Sequence, residues 1–313
     1  MYLLNQVALS HFPAASNTSS PDAGVLVFIA TIFLSTRFFF ATLLFPICIP
    51  GLISKMNAKS WKLGIINGAV FGLGMIAQVM GLGSIPASRS GFLTSLAVVF
   101  TPIIVVIFTK ERIKSSILVG AILAIIGSAF LTGVVNVETF AVSFEKGLAQ
   151  GDLLTLISAL LFSCSIILTD LFSKKTRPIE LTPGMFVGVV IVTLPGAAYQ
   201  AAQLGSDKWC DLLLDPRFTS LTISMSLLCT MVPFSLMTAY QHYFSAEHAS
   251  LIYCVEPIFA CAWAMVLPEI ISPMVGVVYH NKVLTLSLIV GGVLIVVGNL
   301  LPPLSLIQVR TEE

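Results

Sequence analysis

Charged residues are scarce in this sequence of 313 residues, which contains only 16 Lys+Arg and 15 Asp+Glu. This is 10% of the chain, whereas a soluble domain carries about 25%. Hydrophobic residues make up 57%, and the mean hydropathy is +0.98. Because too few polar side chains remain to cover a water-soluble globule of this length, the composition excludes that class. It predicts a protein whose main solvent is the lipid bilayer.

Several chemical signatures are also missing. The net charge is +1 and no basic run is present, which excludes the electrostatic pattern of a nucleic-acid-binding domain. Five of the six cysteines lie inside apolar stretches, so they are interpreted as small core residues rather than a disulfide scaffold. Because the sequence contains no His-Glu-x-x-His motif, phosphate-binding glycine loop or Ser/His/acid constellation, we expect no metal, no cofactor and no enzymatic activity.

Long apolar runs are what the sequence does contain. A transmembrane helix needs about 20 mostly apolar residues, and the runs here are continuous rather than alternating as in membrane barrels. The prediction is therefore an all-α, polytopic membrane protein with nine full spans. The spans cover approximately residues 25–53, 63–84, 90–109, 116–135, 153–172, 182–204, 220–240, 246–267 and 283–301.

The distribution of Lys and Arg predicts the orientation of the spans. One set of alternate loops and the C-terminal tail holds ten of these residues, and the other set holds five, with Arg89 counted among the five. By the positive-inside rule the richer set is cytoplasmic, which places the C-terminus inside the cell. Residues 1–12 are apolar in patches but too short to cross the membrane, and no basic residue precedes them as in a signal peptide.

An internal repeat relates the two halves of the chain. Residues 87–93 (ASRSGFL) and 246–252 (AEHASLI) open spans of similar length, and each span is followed by two glycines seven residues apart. These glycines are Gly120 and Gly127 in the first half, and Gly291 and Gly298 in the second. With five spans in a complete unit, the second unit enters the membrane from the opposite side, as in the inverted repeats of carriers.

A set of short segments, in their order and spacing, resembles the EamA family of the drug/metabolite transporter superfamily over residues 24–301. The segments are Thr36-Arg37-Phe38-Phe39-Phe40-Ala41, Gly91-Phe92-Leu93-Thr94-Ser95-Leu96, Val99-Phe100-Thr101-Pro102, Lys110-Glu111-Arg112, Gly151-Asp152-Leu153-Leu154, Tyr240-Gln241 and residues 250–260 (SLIYCVEPIFA).

The resemblance implies a ten-helix carrier of small metabolites with two inverted-topology repeats, a central cavity, and the last helix of each half outside it. The first helix would be short or missing, because only residues 1–12 could represent it. The expected organisation is a stub and linker (1–23), a first repeat with spans 2–5 (24–135), a connecting loop (136–150), a second repeat with spans 6–10 (151–303) and a cytoplasmic tail (304–313).

The expected function is secondary transport of small metabolites across the cell membrane by alternating access. The coupling partner would be a proton or a counter-substrate, and the protein would act as a monomer or a homodimer in the lipid bilayer. The alternative is a non-transporting membrane scaffold or a truncated, inactive carrier, suggested by the missing first helix.

Two charged residues lie near the middle of predicted spans, Arg37 and Glu256. A charge at that depth costs about 2.5–3.5 kcal/mol, so each needs a reason to be there. One interpretation is that both line the central cavity, where Glu256 would bind a cationic or amine group or exchange a proton. The other is a buried ion pair that fixes helix packing.

Other polar residues at membrane depth are further cavity candidates, although hydroxyl groups in spans also bond their own helix backbone. They are Gln78, Thr94, Ser95, Tyr240, Gln241 and Tyr253. Four prolines interrupt spans and are candidates for hinges or for simple packing irregularities. These are Pro102, Pro195, Pro233 and Pro257.

Two further patterns predict local packing. Asp170 stands one turn before Lys174, which predicts an i,i+4 ion pair near the cytoplasmic surface. Small-xxx-small pairs at Gly68/Gly72 and Gly184/Gly188 predict close contact between helices of the same chain.

Overall fold

The computed structural model describes residues 23–85, 87–110, 113–135, 150–204, 214–275, 281 and 283–311. Its regular elements are helices, which confirms the all-α prediction. The expected stub and most of the connecting loop lie outside the described residues, and the predicted domain boundaries stay predictions.

The described helices follow the predicted spans closely. In chain order they are α1 (Ala23–Cys48), α2 (Ala58–Leu82), α3 (Ala87–Ser95), α4 (Ala97–Thr109), α5 (Ser115–Leu131), α6 (Gln150–Ser173), α7 (Leu181–Leu204), α8 (Pro216–Ser226), a π-helix (Leu227–Met231), α9 (Val232–Gln241), α10 (Ala246–Tyr253), α11 (Glu256–Val275) and α12 (Leu286–Thr311), with short 3-10 helices at Ile53–Lys55 and Pro178–Glu180.

Helices of full length match seven of the nine predicted spans, and shorter apolar helices match the other two. Among the described residues, seven helical segments are long and apolar enough to cross a membrane. Two shorter apolar helices, Ser115–Leu131 and Leu286–Pro302, complete the set. Each of the nine coincides with one predicted span, so the protein is an integral membrane protein with a polytopic helical fold.

Three of these spans are interrupted rather than continuous. One breaks between α3 and α4, one between α10 and α11, and one passes through the π-helix between α8 and α9. Proline accounts for two of the interruptions, because its ring clashes with the carbonyl four residues earlier and it has no N–H to donate. Pro257 acts in this way on Tyr253, where α10 ends, and Pro233 acts on Cys229 inside the π-helix.

The other two hinge candidates differ from these. Pro102 lies inside α4, beyond the break that follows α3, and Pro195 lies inside the uninterrupted helix α7. Two of the four candidate prolines therefore coincide with an interrupted helix, and the other two do not.

The chain divides into two compact units, each with segments from both predicted repeats. Unit 1 comprises residues 1–83 and 168–243, and unit 2 comprises residues 84–167 and 244–313. The helix α6 runs across the boundary between them.

Unit 1 is built on the contact between α2 and α7, where the predicted glycine faces meet. A Cβ atom added at Gly64 would lie 2.6 Å from the carbonyl oxygen of Leu181, and one at Gly68 would overlap the carbonyl of Met185. The expectation that these glycines pack within the chain is confirmed. Against this pair, α1 contributes buried phenylalanine rings, and the edge-to-face contacts of Phe38 with Phe186 and Phe234 fill the core.

Unit 2 is built on the contact between α5 and α12, the two helices with the repeated glycine spacing. A Cβ atom at Gly120 would lie 2.5 Å from the Gly298 carbonyl oxygen, and one at Gly127 would lie 2.6 Å from that of Gly291. The matching glycines of the two halves therefore pack against each other. Leu131 and Ile295 are buried in the same cluster.

We predict that Gly291→Ala destabilises the protein by about 1–3 kcal/mol relative to Gly292→Ala, because overpacking a tight helix contact forces the backbones apart. The added Cβ at Gly291 would lie 2.5 Å from the Gly127 carbonyl oxygen, whereas at Gly292 it would meet only the Leu131 Cδ1 at 3.9 Å. Both substitutions remove one glycine from the same helix, so the second is a matched control. Thermal unfolding in detergent micelles measures the difference, and equal melting temperatures would contradict the close contact.

Candidate functional site

Arg37 lies near the middle of α1 and reaches toward the irregular span of unit 1. Its side chain is half-buried. The guanidinium Nη2 donates a hydrogen bond to the carbonyl oxygen of Cys229 at 2.7 Å, and the Nε donates to the hydroxyl of Thr230. Both partners belong to the π-helix, so the one mid-span cation of α1 is bound to the point where the facing helix is irregular.

The sequence explains why that carbonyl is available. In a regular helix the carbonyl of Cys229 would accept from the N–H of residue 233, which is a proline and has none. A carbonyl left in hydrocarbon without a donor costs several kcal/mol, and Arg37 supplies the donor. Short π-helical segments of this kind occur frequently at functional sites.

Further contacts fix the position of the Arg37 side chain and backbone. The hydroxyl of Ser226 donates to the Arg37 carbonyl oxygen at 2.8 Å, which ties α1 to the end of α8. The guanidinium carbon lies 5.9 Å from the ring centroid of Phe33 and 5.6 Å from that of Phe38, within the range of cation–π attraction. The group is therefore held in one orientation.

In unit 2, four of the predicted residues lie beside two helix breaks that contact each other. Thr94 and Ser95 end α3, Tyr253 ends α10, and Glu256 begins α11. The thiol of Cys254 donates to the Ser95 carbonyl oxygen at 3.7 Å, which joins the two breaks. The structure therefore brings these four positions into one region of the unit.

Glu256 is the charged residue of this region. Its side chain is exposed, and no hydrogen-bond donor in the described residues of unit 2 contacts its carboxylate. It is the first residue of α11, directly after the break that follows α10. An open carboxylate at this place can bind a cationic group or a proton.

The hydroxyl groups of Thr94 and Ser95 bond the backbone of their own helix. Thr94 donates to the Ser90 carbonyl at 2.8 Å, and Ser95 donates to the Phe92 carbonyl at 2.6 Å. Both bonds lie within α3, which is the alternative that the sequence left open for hydroxyls in spans.

Two other predicted residues of unit 1 lie further along the span that contacts Arg37. Tyr240 and Gln241 form the end of α9, which is about 16 Å along the chain from Thr230 at the helical rise per residue. Tyr240 is exposed and its ring packs on that of Tyr243. Gln78 is half-buried in α2, and Gln241 is buried.

A buried ion pair is the main polar feature that sequence reasoning did not identify. Arg89 lies inside α3 rather than in a loop, and its Nη2 contacts the Asp152 carboxylate at 2.6 Å, so counting it as a loop cation was wrong. The side chain of Arg89 is 11% exposed and that of Asp152 is fully buried. The Gly151-Asp152 segment opening the second half was the available signal, but it does not identify the partner.

Other polar contacts of unit 1 lie near the helix ends. The predicted ion pair between Asp170 and Lys174 is confirmed, with Nζ and Oδ2 2.8 Å apart. The buried carboxylate of Glu180 accepts a hydrogen bond from the Ser60 hydroxyl at 2.7 Å, and Asn57 caps the start of α2. In the part of the chain that the structure describes, no three His, Cys, Asp or Glu side chains are grouped as metal ligands would be.

The chain is similar in sequence to membrane transporters. The model of the EamA-like transporter family matches residues 7–133 and 149–301. An uncharacterized transporter of Archaeoglobus fulgidus is 28% identical over 243 residues, which cover 77% of this chain and 70% of that protein. A crystal structure of another protein aligns with 99% of this chain and 96% of its own, with a TM-score of 0.59 and 16% identity, which shows a shared fold alone.

We predict that the two ion pairs differ sharply in their contribution to stability. Arg89→Gln leaves the buried Asp152 carboxylate without its cation, and we expect a loss of about 3–5 kcal/mol. Lys174→Gln removes a cation that is 61% exposed, and such surface pairs contribute about 0–1 kcal/mol.

Chemical unfolding in detergent micelles measures both losses. The double variant Arg89→Met with Asp152→Leu removes the charges together and should recover most of the stability, because apolar replacement of a buried pair is often neutral or better. A small effect of Arg89→Gln, close to that of Lys174→Gln, would mean that the Arg89 pair is not buried in the membrane-embedded protein.

Proposed function

The chain belongs to the EamA-like transporter family and is a membrane transporter, and from this premise we propose that it is a secondary carrier that moves small metabolites across the cell membrane by alternating access. Its C-terminus would face the cytoplasm, as the distribution of Lys and Arg predicts. It would not catalyse a chemical reaction on its substrate.

The observation that carries this proposal is the coincidence of interrupted helices with mid-span charges. Secondary carriers bind substrates and coupling ions where transmembrane helices are discontinuous, because backbone groups and helix ends are then available at half depth. Arg37 contacts the π-helix in unit 1, and Glu256 begins α11 after the break in unit 2. The described structure therefore supports a binding role for both residues.

The two residues would have different tasks. Arg37 has a permanent charge and would hold an anionic part of the solute. Glu256 can exist with or without a proton, so it would bind a cationic group or exchange the proton that couples transport. The irregular helices next to Pro233 and Pro257 can bend without losing regular hydrogen bonds, which suits a conformational change.

We predict that Glu256→Gln abolishes or strongly slows transport while the protein stays folded in the membrane. The amide keeps the size of the side chain but can neither carry the negative charge nor accept a proton. The measurement is accumulation or counterflow of solutes from a pooled metabolite extract into liposomes containing the purified protein, followed by mass spectrometry.

Glu269→Gln is the matched control. Glu269 is also exposed and lies in the same helix, 13 residues further along α11, so its substitution should leave transport near the wild-type rate. Wild-type flux through Glu256→Gln would remove Glu256 from the mechanism. A wild-type protein that moves no solute would favour the scaffold or inactive carrier, and conversion of a solute into a new product would indicate an enzyme.

A further inference from the structure

The positive charge of Arg37 is held by neutral partners. Its contacts are the carbonyl of Cys229, the hydroxyl of Thr230 and two aromatic rings. In the described part of unit 1, no Asp or Glu oxygen lies within 4.0 Å of the guanidinium. Because arginine has more N–H donors than these contacts use, donors and a full charge remain for a ligand.

The same contacts leave part of the group open. Arg37 is only half-buried, and its hydrogen bond to Cys229 is exposed. An arginine at this depth faces a bundle interior or a water-filled space rather than lipid, because hydration of the charge is otherwise lost. The contacts with Thr230 and the phenylalanine rings already fix the orientation of the guanidinium. Binding a ligand would therefore cost little side-chain conformational entropy.

The number of cations at this depth indicates the charge of the ligand. The other Lys and Arg residues in the described part of unit 1 lie near helix ends or in the segments between helices, as Lys59 at the start of α2 and Arg217 at the start of α8 do. A single guanidinium matches a single negative charge. A phosphate group carries about −1.5 to −2 charges at neutral pH, so one arginine would leave it partly uncompensated.

We propose that Arg37 binds the carboxylate of the transported solute, so that the substrates of this protein are small metabolites carrying one carboxylate group at the bound end. This inference rests on the proposed carrier function. The planar guanidinium would bind the two carboxylate oxygens side by side, with the Cys229 carbonyl and Thr230 hydroxyl as its support.

Two cysteines allow the site to be tested without measuring transport. Cys229 and Cys48 are both exposed. The carbonyl of Cys229 is bound by Arg37. Cys48 is the last residue of α1, about three helical turns from Arg37. The experiment measures N-ethylmaleimide labelling of both thiols in the full-length protein in detergent, by peptide mass spectrometry. The probes are acetate, butyrate and benzoate, the matched amines ethylamine, butylamine and benzylamine, and inorganic phosphate.

We expect at least one carboxylate to slow labelling of Cys229 by about tenfold at ten times its dissociation constant, because only unoccupied protein reacts. Its matched amine should not do so, and labelling of Cys48 should not change. Arg37→Gln should raise the dissociation constant of the carboxylate by about tenfold or more, since a charge-assisted hydrogen bond is lost. A correspondingly higher carboxylate concentration would then be needed to protect Cys229. Arg217→Gln removes an exposed cation from the same unit and should keep the protection.

Several results would overturn the proposal. These are equal protection by amines, stronger protection by phosphate than by every carboxylate, protection that survives in Arg37→Gln, or no protection of the wild type by any carboxylate. The wild-type comparisons hold even where Arg37→Gln does not fold. Recovery of that variant's folding by Glu256→Gln would also overturn it, because Arg37 would then serve as the partner of Glu256.

The binding assay separates this inference from the carrier function. Carboxylate protection at Cys229 without solute flux in liposomes would keep the anion site and reject transport. Flux of neutral or amine solutes alone, without carboxylate protection, would keep the carrier and reject the assignment to Arg37.

Discussion

The lack of hydrogen-bonding solvent in the bilayer core is the constraint on which the rest of this structure depends. Backbone carbonyls in a span need donors from the protein, which is why the described spans are helical and why an interrupted span needs replacement donors. The clearest case is Cys229, whose carbonyl loses its helical donor because residue 233 is proline and gains one from Arg37. The same contact satisfies the backbone and holds a charge at mid-span, so helix irregularity and the candidate site have one physical origin.

Glycine provides the second organising element, because it lets helix backbones approach within contact distance. In unit 1 the tight contact joins α2 and α7, and in unit 2 it joins α5 and α12. These pairs are rigid, since each small-residue face fits a backbone rather than a flexible side chain. The interrupted helices are different, because their hydrogen-bonding pattern is already irregular. Each unit therefore combines a stiff helix pair with spans whose geometry can adjust.

Hydropathy and spacing predicted the nine spans, the glycine contacts of Gly68 and the pair of Asp170 with Lys174, because each depends on residues close in sequence or on a local composition. The π-helix and the partner of Arg89 were not predictable in this way. Hydropathy averaged over about 20 residues does not change when one backbone carbonyl loses its donor. A proline in the sequence shows that an N–H donor is missing, but it does not show which group replaces that donor. Arg89 follows a proline and serines, so it resembled a loop cation, and only the fold shows Asp152 beside it.

Two ion pairs and two unpaired charges stand out among the charged residues of the described spans, and the difference between them bears on function. Arg89 in α3 and Asp152 in α6 neutralise each other and join two helices, whereas Asp170 and Lys174 neutralise each other at the end of one helix. Arg37 and Glu256 have no oppositely charged partner in the described residues of their own units, so their charges are not neutralised there. A solute with a complementary charge would neutralise them on binding, and this would give a carrier its affinity at half depth.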